Sequence, residues 1–241
     1  MPEEINRVVT DRLSHLLFTP SRDADDNLRA EGVAGERIHL VGNIVIDSLV
    51  QALPRALQLS APDRYGVDPH QYVLVTLHRP SNVDDPATLS ELVGALEELS
   101  TRGPVLFPVH PRTRLRMEEF GLGAPGSNGL RLIEPVRYVE MLGLMAGAAL
   151  VITDSGGVQE ETSYLGIPCL TARPNTERPV TVRLGTNRLV ASRRAELVPA
   201  ALDAWGKWGP EAISSCAMAV RPAALPTSYA HELLGRRPPN R

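Results

Sequence analysis

The densest chemistry in this chain lies at residues 153–161, which read TDSGGVQEE. A short apolar run ends there in Ser-Gly-Gly, and a helix begins. Glycines let a ligand approach the backbone closely, and the unpaired amides of a helix start, with the positive end of its dipole, favour an anion. Ser155, Gly156 and Gly157 therefore suit a phosphate or diphosphate, although a tight turn leading into a capped helix has the same local pattern. Glu160 and Glu161 fall in the first turns, where acids also favour the helix itself. A glutamate there can accept hydrogen bonds from two ribose hydroxyls. His78 and Arg79 follow another apolar run and offer a protonatable imidazole beside a planar cation. His110 sits in FPVHPRTR, where Pro108 and Pro111 stiffen the turn. Arg173 and Arg178, in RPNTERP, can clamp an anion or pair with Glu177. Glu3 and Glu4 head a helix, where acids complement the dipole. Cys169 reads as core, and Met141 and Met145 as helix packing. The histidines are scattered, with neither His-x-x-x-His nor Cys-x-x-Cys, so no metal site is expected.

These residues need elements to hold them. From about residue 70 onward, short apolar runs alternate with amphipathic stretches. Residues 72–77 (YVLVTL) read as a buried parallel strand. Asp85 caps a helix with Pro86 at its first position, and Leu89, Leu92, Val93, Leu96 and Leu99 form one apolar face. Further strands are expected at 105–109, 130–133, 150–153, 168–172 and 188–191. Helices are expected at 114–120, 138–146, 157–164 and 195–205, with a helical turn near Arg178. Such alternation predicts an α/β fold, a Rossmann-like parallel sheet covered by helices on both faces. Ligands of open α/β sheets bind beyond the carboxyl ends of the strands. His78–Arg79, His110, the Ser-Gly-Gly turn and Arg173–Arg178 all fall at such ends. Residues 5–57 repeat the grammar in shorter form: helix, strand, a helix capped by Ser21, strand, helix. Residues 58–69 read as a linker, and periodicity is lost from about Gly206, where a disordered tail is expected.

The 241 residues carry 25 basic and 28 acidic groups, a net charge of -3, and a mean hydropathy of -0.10. That balance gives no electrostatic footprint for nucleic acid or an anionic membrane. No apolar run reaches the roughly 18 residues of a membrane span, and no leader pattern is visible, so a soluble cytoplasmic protein is expected. The two cysteines, Cys169 and Cys216, cannot form a disulfide framework. The single lysine, Lys207, leaves almost no candidate for Schiff-base or P-loop chemistry.

Seven segments occur in order: PEEINR (2–7), VGN (41–43), TLHRPSNVD (76–84), FPVHPRTR (107–114), TDSGGVQEE (153–161), GIPCLTARPNTERP (166–179) and GTN (185–187). Together they resemble the non-hydrolysing UDP-N-acetylglucosamine 2-epimerases across roughly residues 1–200. The resemblance implies two Rossmann-like domains, similar to the GT-B glycosyltransferases, with substrate between them. It also implies interconversion of UDP-N-acetylglucosamine and UDP-N-acetylmannosamine without a cofactor. In that chemistry the C2 proton is removed and UDP expelled, giving a 2-acetamidoglucal, and UDP is then re-added with the proton on the other face. By the same resemblance Glu3 is a catalytic glutamate and His78 contacts the leaving diphosphate. Ser155, Gly156 and Gly157 hold phosphate, with Arg178 beside them. Glu161 binds the ribose hydroxyls, and Met141 lies where backbone atoms read uracil. Arg79 and His110 match positions near a second UDP-N-acetylglucosamine, an allosteric activator, and Glu4, Arg79 and His110 are candidates for contact with either that activator or the substrate. A homodimer is the family norm.

Two segments of the family pattern are not found: a Gly-Thr-Arg-Pro-Glu strand end, and a further aspartate with a His-x-Glu-Ala-Gly glutamate. Residues 209–241 also lack the family's closing turn and helix. The expectation is therefore the C-terminal half of a GT-B-like fold (59–205) carrying a remnant of the first domain (1–58) and a divergent tail (206–241). Such a chain would start inside its own active site, bind UDP weakly and turn over little. A non-catalytic nucleotide-sugar-binding module and a GT-B glycosyltransferase are the alternatives. The HRPSNVD and NTERP segments match the epimerases rather than the latter.

Overall fold

The computed structural model describes residues 2–122 and 129–205, the side chains of Pro2 and Glu3 excepted. The expected tail, with Lys207 and Cys216, lies outside the described residues. The chain packs as two units, one up to Asp47 and one from Ser48 onward. In the first, helix α1 (Pro2–Leu13) precedes strand β1 (Leu17–Thr19), helix α2 (Arg22–Ala30) and strand β2 (Ile38–Leu40). β1 and β2 pair in parallel, Leu17 against Ile38, and Leu17, Leu28, Val33 and Ile38 form a small core. Arg7 ties α1 to the end of α2, bonding Asp11 at 2.9 Å and Glu31 at 2.6 Å.

Helix α3 (Ile44–Gln58) crosses the boundary between the units and is followed by the one-turn helix α4 (Ala61–Arg64). The segment read as a linker is thus packed structure. Ala61, fully buried, and Val67 join the core around Tyr72 and Leu74. Its apolar residues are too few to show a period, which is why the sequence concealed it.

The rest is the expected alternation: β3 (Val73–Thr76), α5 (Pro80–Val83), α6 (Pro86–Ser100), β4 (Val105–Pro108), α7 (Pro111–Glu119), β5 (Leu130–Ile133), α8 (Tyr138–Ala146), β6 (Leu150–Thr153), α9 (Gly156–Leu165), β7 (Cys169–Ala172), α10 (Pro179–Arg183), β8 (Asn187–Val190) and α11 (Arg194–Ala204). α5 is a single turn of helix between Arg79 and the Asp85 cap. α7 starts three residues earlier than read, because Pro111 stands at its first position and His110 Nδ1 accepts from the Arg112 N–H. Asp85 caps α6 as expected, accepting from Thr88 N. Its five periodic apolar side chains are all buried, each contributing about 1.5–3 kcal/mol. They pack with α11 and one face of the sheet.

All six strands of this sheet run parallel, in the order β5-β4-β3-β6-β7-β8. Successive connections run outward in one direction from β3 and in the other from β6. The polarity change between those two strands opens a crevice at their carboxyl ends. Thr76 and Thr153 are in register there, their hydroxyls 2.7 Å apart.

Candidate functional site

Asp154, directly after β6, stands at that crevice and is fully buried. A buried carboxylate needs partners, and it collects them from the segment after β3. Its Oδ2 accepts from the His78 N–H (3.0 Å), the Arg79 N–H (2.9 Å) and Asn82 Nδ2 (3.1 Å). Its Oδ1 lies 3.0 Å from His78 Nδ1. These donors hold the Asp154 carboxyl below its ordinary range against the opposing effect of burial. In return the bond to Asp154 raises His78 above its ordinary value, so the imidazole keeps its proton to higher pH. Asn82, on α5, also donates to Ala172 O and accepts from Ser192, joining the ends of β3, β6 and β7. The His110 ring, after β4, lies 5.7 Å from that of His78.

Beside this pair is the start of α9. Ser155 takes the N-cap position in extended conformation, but its side chain makes no capping bond. Neither Gly156 nor Gly157 has a left-handed φ, so the backbone conformation does not require glycine at either place. A side chain built on Gly157 would meet nothing within 4 Å. The glycines leave room for something outside the protein atoms, in front of amides that suit an anion.

The remaining residues flank this start. Glu161 is buried on α9 and accepts from Tyr138 OH of α8 at 2.9 Å; burial pushes its carboxyl up. Met141 packs at the edge of the core that buries Met145, and its N–H bonds Arg137 O within α8. Arg173 pairs with Glu177 at 2.7 Å. Arg178 Nε lies 2.9 Å from Glu160 Oε1, close enough for an ion pair though not aligned for a hydrogen bond. Arg79 Nε donates to Asp154 O. Cys169 is core, its thiol pushed up to about 11 by burial. In the first unit, Glu4 is exposed and bonds Arg7 at 2.6 Å. Glu3 lies on α1, its side chain outside the described residues.

The structure thus brings His78, Arg79, His110, Ser155, Gly156, Gly157, Arg173 and Arg178 to one end of the sheet, with Glu161 one helical turn behind. Sequence reasoning missed four supporting residues. Asn82, inside HRPSNVD, is buried, and nothing in the sequence marks it so. Gln159, fully buried, donates to Ser155 O (3.3 Å) and accepts from Thr176 (2.6 Å) and Asn187 (3.1 Å). Asn187 accepts in turn from Thr171. Tyr138 was read only as a helix start. A polar residue between glycines and an acid pair gave no signal of burial. Among the described residues no group of His, Cys, Asp and Glu is arranged to hold a metal ion. Among them, too, no helix is long and apolar enough to cross a membrane.

A family model for UDP-N-acetylglucosamine 2-epimerase matches residues 1–219. The chain belongs to this family. An epimerase of that name from Methanococcus maripaludis is 43% identical over 80% of this chain and 54% of its own length. A UDP-2,3-diacetamido-2,3-dideoxy-D-glucuronate 2-epimerase from Pseudomonas aeruginosa is 41% identical over 86% of this chain and 57% of its own. The crystal structure of the Methanocaldococcus jannaschii UDP-GlcNAc 2-epimerase, in complex with UDP-GlcNAc and UDP, is similar with a TM-score of 0.75 and 38% identity, over 92% of this chain and 64% of that one. The chain spans about half the length of the curated relatives it matches.

Proposed function

We propose that the unit from Ser48 onward is the UDP-binding side of a non-hydrolysing UDP-sugar 2-epimerase, with UDP-N-acetylglucosamine as its substrate. One observation carries this reading: His78, whose bond to buried Asp154 raises it above its ordinary value, stands beside an uncapped helix start whose Gly157 faces empty space. On this reading the diphosphate lies against the α9 amides and Ser155. His78, which Asp154 helps to keep its proton to higher pH, and Arg79 offset the charge that develops on UDP as it departs. Glu161 accepts from the ribose hydroxyls, with Tyr138 fixing its carboxylate, and uracil lies against the backbone near Met141. Arg178 reaches phosphate by exchanging its pairing with Glu160.

Glu3 is the acid or base for C2. Glu4, Arg79 and His110 contact either the substrate or a second, activating UDP-N-acetylglucosamine. A homodimer and a cytoplasmic location belong to the same reading. The Pseudomonas relative is named for a different UDP-sugar.

Two measurements on the 241-residue chain test it. Calorimetry should show saturable UDP binding, and UDP-N-acetylglucosamine in deuterated water should take up deuterium at C2 if the protein performs elimination. Binding of UDP without C2 exchange would leave a nucleotide-sugar-binding module. Acceptor-dependent sugar transfer would refute epimerisation in favour of a glycosyltransferase.

A further inference from the structure

Arg173 is a buried cation facing an exposed anion. Its side chain is 8% exposed, whereas that of Glu177, four residues on, is 56% exposed. The two meet as a two-pronged pair, Nη1 to Oε2 at 2.9 Å and Nη2 to Oε1 at 2.7 Å. Two other positive features face the same carboxylate. Arg79 Nη2 lies 3.9 Å from Glu177 Oε1. Glu177 Oε2 is 3.9 Å from the point where a side chain on Gly156 would begin, at the open start of α9. The Arg173 bond above all holds this carboxyl down at about 2, so it is charged at any working pH. An exposed carboxylate therefore stands among two guanidiniums and a helix start that would each suit a phosphate.

We propose that Glu177 is the resting counter-ion of this anion site, occupying Arg173 and Arg79 until a nucleotide diphosphate displaces it. The inference rests on the nucleotide reading above and adds a competitor to it. A buried guanidinium left without an anion is costly, so the empty site needs a partner for Arg173. Glu177 meets that need with a single charge on a side chain that regains hydration and rotamer freedom when it swings away. A diphosphate brings more charge and also reaches the α9 amides, so the exchange favours the nucleotide. No bond is made or broken. Glu177 thus keeps Arg173 in place in the empty site while lowering its affinity for diphosphate. It acts on the phosphate end only, because the ribose end is read by Glu161.

Calorimetry of the full chain with UDP and with uridine, wild type against Glu177→Gln, tests this. Removing a two-pronged pair whose carboxylate is exposed should tighten UDP about two- to tenfold and leave uridine unchanged. UDP affinity that is unchanged or weaker in E177Q overturns the inference, as does an equal change for uridine. Glu177→Asp guards against misfolding of the first variant, since it keeps the charge but is one methylene short of the fork. It should tighten UDP by a smaller factor, and no tightening there counts against the proposal equally. A wild-type chain that binds no UDP overturns the nucleotide reading itself, an outcome distinct from a variant that fails to tighten.

Discussion

Replacing Asp154 by asparagine exchanges a buried carboxylate for a neutral group of the same shape. The three donors on Oδ2, from His78 N, Arg79 N and Asn82 Nδ2, can all keep an amide oxygen as acceptor. The new NH₂ then faces His78 Nδ1, which must accept instead of donate, so the imidazole is neutral with its proton on Nε2. What raised His78 is gone, while burial and the nearby Arg79 charge still lower it. Its midpoint in Asp154→Asn should therefore fall below the wild-type value and below that of a free imidazole. Charge-assisted bonds are about twice as strong as neutral ones, and burying a neutral amide costs less than burying a carboxylate. The net loss is on the order of 1–3 kcal/mol, which lowers Tm by roughly 3–10 °C in a chain of this size. Wild-type stabilisation from His78 is full below the ordinary imidazole value and fades as pH rises through its raised folded value. In D154N the sign reverses, and stability is lost as pH falls through the lowered one. The Tm gap between the two proteins should thus be wider at pH 6 than at pH 8. NMR titration of the His78 ring and melting curves at both pH values measure this. A His78 midpoint that does not drop, or a gap that narrows toward acid, refutes the assigned pairing. Asp154→Ala should be worse than D154N, since it orphans two backbone N–H groups at about 1–3 kcal/mol each.

Gly157→Val places a side chain in empty space at a backbone conformation open to any residue, so Tm should stay within about 3 °C while UDP affinity falls roughly tenfold or more. Retained UDP binding in that variant would remove α9 from the site. Glu161→Gln keeps an acceptor for Tyr138 and spares a buried charge whose pKa is raised, so at pH 7 it should be as stable as wild type or more so. Because a raised carboxyl stabilises most when protonated, that advantage should vanish as the pH is lowered to about 4; uridine affinity should drop several-fold throughout. Gln159→Leu deprives Thr176 and Asn187 of their shared acceptor, costing about 2–4 kcal/mol. Amide exchange at Arg178, whose N–H bonds Thr176 Oγ1, should quicken in parallel with the Tm loss, and unchanged exchange would separate the network from this loop.

The strands and long helices were legible because burial imposes a period. α6 shows five leucines and valines at helical spacing, and β3 and β6 read as unbroken apolar runs. The positions of His78, Ser155 and Arg173 followed, since strand ends in such sheets are where ligands lie. What could not be read was pairing. Arg173 and Glu177 are four residues apart and their contact is local, but Arg178 selects Glu160 and Asp154 selects Asn82 across 72 residues. No one-dimensional pattern encodes those choices. α4 and α5 are single turns, too short for a period to show.

Glycine motifs mark the limit most clearly, because GTN and SGG are alike in kind as sequence and opposite in space. A side chain on Gly185 would fall 2.5 Å from Thr181 O, so that glycine answers to packing already present in the chain. Asn187, two residues on, is likewise consumed by Gln159, Thr171 and Thr181. A side chain on Gly157 would touch nothing, and the amides beside it have no capping side chain. A glycine whose missing side chain is replaced by protein is explained by the fold. A glycine whose missing side chain is replaced by nothing, at a helix start beside His78, Arg79 and Arg173, is left over by the fold and is what the proposed diphosphate site requires.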